Sequence, residues 1–477
     1  MSSIEENFEK TFHWYQKAAE NGDENAMNSL ANYYYNGEGT EKDIEKAFYW
    51  YQKAAENGNG DAMVSLISSY RKGEGTEKNL EKAFYWYYKA VESNKVNFNE
   101  YGLCDECKQP NIDYQWCQLC NSKRFQQDFS KWTSENKYID RFIQEVQLNP
   151  KNCYEVLEWI PYNKLSSINY YYKGRFSEIY KAVWLDGPID SWNSDKQQWN
   201  RWNFQSGYEV ILKTLSLNDE FLDELKCHYN CQKKSFSKFI QIFGFTQDPH
   251  SLNYIVVMNY AKKGNLRKCL SDIIKFKWQD RLQLLKKLIL GLKIIHESNL
   301  THGNFHDDNI LLSDDYELLI TDLGSCKPVG HLQDFDKKDN ESYETLPYLA
   351  PEIIKGKPYT PASDIYSFSM IMWEFTSGIS PFNHEALNAN IWEGDRPKII
   401  ESTPQCYVDL MKKCWDSDPA NRTYVTELEY KISEWIRCIN EYYRINKNGN
   451  DELEIPNVDN KLKNDMLEFV KANNALV

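Results

Sequence analysis

His302-Gly303-Asn304-Phe305-His306-Asp307-Asp308-Asn309 is the stretch that decides how this chain is read. An amphipathic run from Trp278 to His296 leads into it, and the apolar triplet Ile310-Leu311-Leu312 follows. Apolar residues at helical spacing, then a polar octet, then a short apolar run, predict a helix, a loop and a strand. Asp322-Leu323-Gly324 comes next, and Ala350-Pro351-Glu352 further on.

This order resembles the catalytic loop, metal-binding turn and activation-segment end of protein kinases. In that family the loop reads His-Arg-Asp, four residues, then Asn. Asn309 holds its place here, whereas the catalytic Asp is Asn304 and the Arg is Gly303. The same eight residues therefore imply the fold and put phosphotransfer in question. Pseudokinase domains of the Janus tyrosine kinases resemble this loop, with His-Gly-Asn at the same place.

The likeness runs from about Trp159 to Cys438 and has a tyrosine-kinase-like character. Tyr172-Lys173-Gly174-Arg175-Phe176-Ser177-Glu178-Ile179 takes the place of the Gly-rich loop, whose backbone N–H groups close over ATP phosphates. Of the usual glycines only Gly174 is present, and Tyr172 and Ser177 replace the others. Lys213 in Val210-Ile211-Leu212-Lys213 matches the phosphate-holding lysine, with Glu224 its implied partner. Ile211 stands where a small Ala is usual and would press on the adenine. Val256 to Ala261 reads as the hinge, with Met258 the gatekeeper and Ala261 beside the nucleotide. Asn309 and Asp322 are the implied Mg²⁺ ligands. Glu352 is expected to pair with Arg422, and Asp364 to steady the loop.

Composition sets the surroundings. A chain of 477 residues exceeds one ordinary core and predicts two or three domains. Formal charge of -14 argues against nucleic acid or an anionic membrane surface as the main partner. No apolar run reaches the roughly 20 residues of a membrane helix. The polar N-terminus Met1-Ser2-Ser3-Ile4-Glu5-Glu6 is no secretory signal. Twelve cysteines then fit reduced thiols or metal ligands, and a soluble cytoplasmic protein is expected.

The first hundred residues repeat. Lys10 to Ala18 returns as Lys46 to Ala54 and again as Lys82 to Ala90, in steps of 36 residues. Gly37 and Gly39 return as Gly73 and Gly75. Phe48, Tyr51, Ala54 and Ala55 make one helical stripe, so each unit reads as two helices and a Gly-rich turn. Period, glycines and aromatics together resemble Sel1-like repeats, relatives of the tetratricopeptide hairpins. A single Tyr or Trp of the stripe belongs more often to inter-helix core than to a binding face. For the domain as a whole, a peptide or protein partner is the expected ligand.

Cys104-Asp-Glu-Cys107 and Cys117-Gln-Leu-Cys120 form two hooks that can present four thiolates tetrahedrally. A closed structural Zn²⁺ site requires that arrangement. Free thiols or a redox pair are the alternatives on spacing alone. The expected architecture is multidomain, α and α+β: helical repeats at 1–95, a zinc-binding knot at 100–124 and a helical connector at 125–158. A two-lobed kinase-like domain at 159–438 and a frayed tail at 439–477, with a short helix near Lys463 to Lys471, complete it.

Two functions compete. One is a signalling scaffold with an ATP and Mg²⁺ site and weakened transfer, its repeats recruiting partners. The other is a working Ser, Thr or Tyr protein kinase. An Asn amide hydrogen-bonds but takes no proton, and general-base catalysis contributes about 10²–10⁴-fold, which favours the scaffold.

Overall fold

The computed structural model describes residues 2–77, 79, 82–83, 85–86, 89–90, 103–109, 111–113, 115–173, 177–202, 207–215, 221–314, 316–322, 326–329, 345–381, 395–445 and 458–475. The chain divides into two compact units. One comprises Met1–Lys131, Gln144–Val156 and Asp186–Tyr208; the other comprises Trp132–Ile143, Leu157–Leu185 and Glu209–Val477.

In the first unit, helices Ser2–Glu20, Glu24–Asn36, Ile44–Glu56 and Gly60–Lys72 run as successive hairpins. The repeat is visible in its caps. Asp23, Asp43 and Asn59 accept from the N–H of Ala26 (2.7 Å), Lys46 (2.9 Å) and Ala62 (2.9 Å). Each such cap contributes about 0.5–2 kcal/mol. Gly37 and Gly73 end their helices at φ +76°, the left-handed conformation that suits glycine. Gly75 is needed for space, because a Cβ there would sit 2.3 Å from the Ile44 carbonyl oxygen of the preceding repeat. Tyr51, Ala54 and Ala55 are buried, and the half-buried Phe48 packs edge-on to Tyr70 at 5.1 Å. Trp14 and Tyr49 are 65% and 53% exposed, so the aromatic stripe is core at some positions and surface at others.

The first eight strands of the rest of the chain, in order, are β1 (Glu158–Trp159), β2 (Leu165–Lys173), β3 (Glu178–Trp184), β4 (Ile189–Asn193), β5 (Gln198–Arg201), β6 (Tyr208–Thr214), β7 (Ile242–Gln247) and β8 (Tyr254–Asn259). Six of them form one sheet in the second unit, ordered β1-β7-β8-β6-β3-β2, with β1 parallel to β7. Strands β4 and β5 make a separate hairpin that belongs to the first unit. There Trp199 stacks on Phe125 (4.7 Å, 15°) and on Trp116 (5.9 Å, 25°), beside the four cysteines in sequence. Where a helical connector was expected, the helix Lys137–Gln147 lies within 125–158, while the helix Gln118–Asp128 starts earlier, between the last two cysteines of the knot.

The helical part of the second unit has one core around helices Trp278–Glu297, Pro361–Ser377, Gln405–Cys414, Val425–Ile445 and Asn460–Asn474. The expectation of a frayed tail is corrected here. Helix Asn460–Asn474 is longer than the sequence suggested and buries Met466, Phe469 and Val470. Phe469 packs on Trp435 (5.1 Å) and Trp278 (5.5 Å), and Asn473 Oδ1 accepts from the Trp278 backbone N–H at 2.7 Å. Each such apolar side chain contributes about 1.5–3 kcal/mol on burial.

Candidate nucleotide site and cysteine knot

The loop that opened the sequence reading hangs from one buried carboxylate. Asp364 accepts the backbone N–H of His302 (2.8 Å) and of Gly303 (3.0 Å), and meets His296 Nε2 at 2.9 Å. Gly303 sits at φ +73°. His302 Nε2 donates to the Thr321 carbonyl (3.2 Å) while its Nδ1 accepts from Asn304 N–H (3.3 Å), which fixes a neutral tautomer. Burial lowers the His302 pKa and agrees with that assignment. Glu352 and Arg422 form the expected pair, two parallel bonds of 2.7 Å in a buried site.

At the front of the loop, Lys213 Nζ donates to Asp322 Oδ1 at 2.9 Å. Asp322 lies in the left-handed region at φ +58°. The Lys213 charge holds the Asp322 carboxyl down at about 2. Burial works against the lysine's charge, but the facing carboxylate outweighs it and raises the Lys213 pKa. Glu224 on helix Phe221–Lys234 adds to that field. Asn309 Nδ2 donates to the Asn304 carbonyl (2.9 Å) and stands 3.5 Å from Asp322 Oδ2. Asn304 Nδ2 is likewise 3.5 Å from Asp322 Oδ2. The amide at 304 thus donates toward the carboxylate at 322, a role an aspartate there could not fill without an intervening cation.

On the sheet, Met258 lies opposite Ile211 in the β6–β8 register, and both Met258 and Ala261 are buried. Met258 and Ile211 are thus cross-strand neighbours. Gly174, Leu323 and Gly324 lie outside the described residues. One carboxylate, one amide and one ammonium in this order suit Mg²⁺ and a phosphate, since Mg²⁺ prefers oxygen ligands.

Sequence reasoning missed a second network behind the loop. Arg267 clamps the fully buried Asp307 through Nε (2.8 Å) and Nη2 (2.9 Å), and Ser380 Oγ adds a bond of 2.9 Å. Although burial opposes the charge, His306, Arg267 and Ser380 hold Asp307 ionised, well below the usual carboxylate range. Arg267 also meets Asp308 at 3.0 Å. His306, Asp307 and Asp308 have metal-like proximity, but the guanidinium already supplies the cation. The signal was two adjacent acids inside the octet, which call for a counter-charge; which arginine supplies it was not readable.

The four cysteine sulfurs all lie within 4.8 Å of one another, with Cys104–Cys120 at 3.8 Å and Cys107–Cys117 at 3.5 Å. Thiolates around Zn²⁺ at a bond length of about 2.3 Å stand about 3.8 Å apart in a tetrahedron, so the set fits the ion. The backbone N–H of Gln109 brings Cys107 down to about 7, whereas burial pushes Cys117 and Cys120 up. A bound cation would favour the thiolate form of all four.

With this geometry in hand, comparison with known proteins is specific. Residues 170–432 match the family model described as protein tyrosine and serine/threonine kinase, and residues 2–23, 25–59 and 63–95 match Sel1 repeats. A putative serine/threonine-protein kinase/receptor of Acanthamoeba polyphaga mimivirus is 32% identical over 38% of this chain and 11% of its own length. A serine/threonine/tyrosine-protein kinase of Arabidopsis thaliana is 27% identical over 39% of this chain and 49% of its own. Receptor-interacting serine/threonine-protein kinase 1 of Homo sapiens is 25% identical over 47% and 38%. The chain spans from about a tenth to about half of the length of these relatives. Loop, ion pairs and sheet agree with a match that covers more than half of the sequence, and the chain belongs to the protein tyrosine and serine/threonine kinase family, with Sel1 repeats before the kinase domain.

Proposed function

We propose that this kinase-like signalling protein is a nucleotide-responsive scaffold whose own phosphotransfer is weak. The observation that carries the reading is Asn304, whose amide faces Asp322 at 3.5 Å where a proton-accepting carboxylate would be needed. Lys213, with Glu224 adding to its electrostatic field, would orient the phosphates, and Asn309 and Asp322 would hold Mg²⁺, which would supply positive charge to neutralise them. Met258 and Ala261 would line the nucleotide side of the cleft, and Gly174 is assigned to it from its place in the sequence alone. Asn304 positions an incoming hydroxyl by a hydrogen bond but leaves its proton in place. Tyr172, Ser177 and Ile211 weaken the grip on ATP by stiffening the loop and crowding the base. Overpacking costs about 1–3 kcal/mol and a charge-assisted contact returns about 1.5–3 kcal/mol, so ATP binding in the range of tens of micromolar to millimolar is expected.

The domain limits of the sequence reading, with the kinase-like part at 159–438, are the frame of this proposal. Sel1 repeats are protein-interaction modules, which supports a protein partner for residues 1–95. Cys104, Cys107, Cys117 and Cys120 are assigned one structural Zn²⁺ on the fit of their sulfurs. No described helix is long and apolar enough to cross a membrane. A second reading, a working kinase, is favoured by the convergence of Lys213, Asp322 and Asn309 on one point. ATP binding measured beside single-turnover transfer separates the two: binding with slow transfer supports the scaffold, and binding with ordinary transfer supports the enzyme.

A further inference from the structure

A short stretch upstream of the kinase match belongs to the second unit. Trp132–Ile143 clusters with the six-stranded sheet, although the family match begins only at residue 170. At the start of helix Lys137–Gln147, Asn136 Oδ1 accepts from the Tyr138 N–H at 3.0 Å, and Asp140 accepts the Ser134 N–H at 2.7 Å. The Ser134 carbonyl in turn accepts the Tyr254 hydroxyl at 2.7 Å, which fastens this stretch to β8, the strand of Met258. Ile139, Phe142 and Ile143 are buried at helical spacing. Phe142 meets two rings, Tyr229 on helix Phe221–Lys234 edge-on (5.8 Å, 87°) and Phe245 on β7 at a tilt (6.2 Å, 59°).

Helix Phe221–Lys234 carries Glu224. Glu224, His228 and Gln232 recur every four residues and so share one face of it. His228 Nε2 donates to the Ile240 carbonyl at 2.6 Å, and Gln232 Oε1 accepts the Ile242 N–H at 2.8 Å, so this face is pinned to the β7 side. Tyr229 follows His228 by one residue and stands about 100° further round the helix. A contact placed there resists rotation of the helix about its own axis. That rotation is the motion that would turn Glu224 away from Lys213.

We propose that Phe142 is a positioning residue for the nucleotide site: wedged between Tyr229 and Phe245, it sets the rotation of the Glu224 helix and through it the grip of Lys213 on phosphate. The effect on phosphate rests on the ATP reading given above, whereas the hold on the helix does not. Phe142 touches no substrate; it acts through Glu224. On this reading the stretch at 132–143 is part of the nucleotide-binding machinery, and the functional lobe starts before the matched domain.

The test measures Mg²⁺-ATP affinity of the full-length protein by calorimetric titration, in a cycle with Glu224→Gln. Phe142→Ala should weaken binding about two- to tenfold, the worth of one aromatic pair, and Phe142→Leu, which refills much of the space, should weaken it less. In the Glu224→Gln background, Phe142→Ala should add less than about twofold, because its effect runs through Glu224. An equal loss in both backgrounds marks a merely structural role and overturns the proposal. Amide hydrogen exchange reads the helix without nucleotide. Peptides of Phe221–Lys234 should exchange at least about threefold faster in Phe142→Ala, while those of helix Trp278–Glu297 stay unchanged. A uniform rise, or an unchanged Phe221–Lys234, would overturn the proposal as well. If the unsubstituted protein binds no ATP, the nucleotide reading falls and the grip on phosphate with it; the exchange pattern still decides the hold on the helix. Should Phe142→Ala not fold, Phe142→Leu and Tyr229→Leu run the same cycle from the two sides of the contact.

Discussion

The back and the front of the catalytic loop are built to different standards. Behind it, Asp364 satisfies two backbone donors and His296, Arg422 and Glu352 form a closed bidentate pair, and Arg267 neutralises Asp307. In front, Lys213 reaches Asp322 at 2.9 Å, yet the position that would accept a proton is the amide of Asn304. Holding the loop and performing transfer are thus separate demands on the sequence. A loop fully held in place says that the fold is intact and nothing about the rate.

Substitutions behind the loop should have the largest effect on stability. Arg422→Ala leaves Glu352 buried without its partner, and denaturant melts of the kinase-like unit should show a loss of about 3–5 kcal/mol. Asn304→Ala, in front, should shift the same melts by less than about 1 kcal/mol. Equal losses at the two positions would erase the distinction between back and front.

Asn304→Asp sharpens the comparison from the other side. Restoring a proton acceptor should raise single-turnover transfer about tenfold or more, equivalent to about 1.4 kcal/mol of barrier. The same change places two carboxylates where an amide now faces Asp322, so the variant should be stabilised by Mg²⁺ more than the natural protein is. A thermal-shift titration with MgCl₂ alone reads this directly, and identical Mg²⁺ responses would contradict it.

These two sides of the loop were not equally legible in the sequence. The octet and its spacing to Asp322 and Glu352 located the fold through their resemblance to the kinase motifs. The 36-residue steps and the paired cysteine hooks were likewise local patterns. Pairings between distant segments were not local. Nothing near Asp307 names Arg267, 40 residues upstream, as its partner. Nothing in the polar segment after Cys438 announces that Phe469 will pack on Trp278 and Trp435. Nothing between Ile189 and Arg201 announces that Trp199 will stack on Phe125 and Trp116. A polar-looking composition hid the last two, since a single buried aromatic helps to dock an otherwise polar element.

Acid should weaken the front of the loop. The folded Asp322 carboxyl lies at about 2 against an ordinary value of 3.8, so its contribution is fully present above that ordinary value. It is lost as pH falls through this window toward about 2. Asp322→Asn should flatten that limb in melts recorded from about pH 5 downward, and an unchanged limb would remove the Lys213–Asp322 pair from the account. The smallest effect concerns crowding. Ile211 lies opposite Met258, and Ile211→Ala should enlarge the rise in Tm given by ATP with Mg²⁺, by up to about 1–3 kcal/mol of binding.

The central claim is that this kinase fold binds Mg²⁺-ATP weakly and transfers its phosphate poorly because position 304 takes no proton. Single-turnover transfer from radiolabelled ATP to a generic protein substrate, at saturating ATP and Mg²⁺, tests it most directly. The account predicts transfer at least about tenfold below the roughly 1–100 s⁻¹ of ordinary kinases, and recovery in Asn304→Asp. Transfer by the natural sequence within that ordinary range, unchanged by Asn304→Asp, would contradict it.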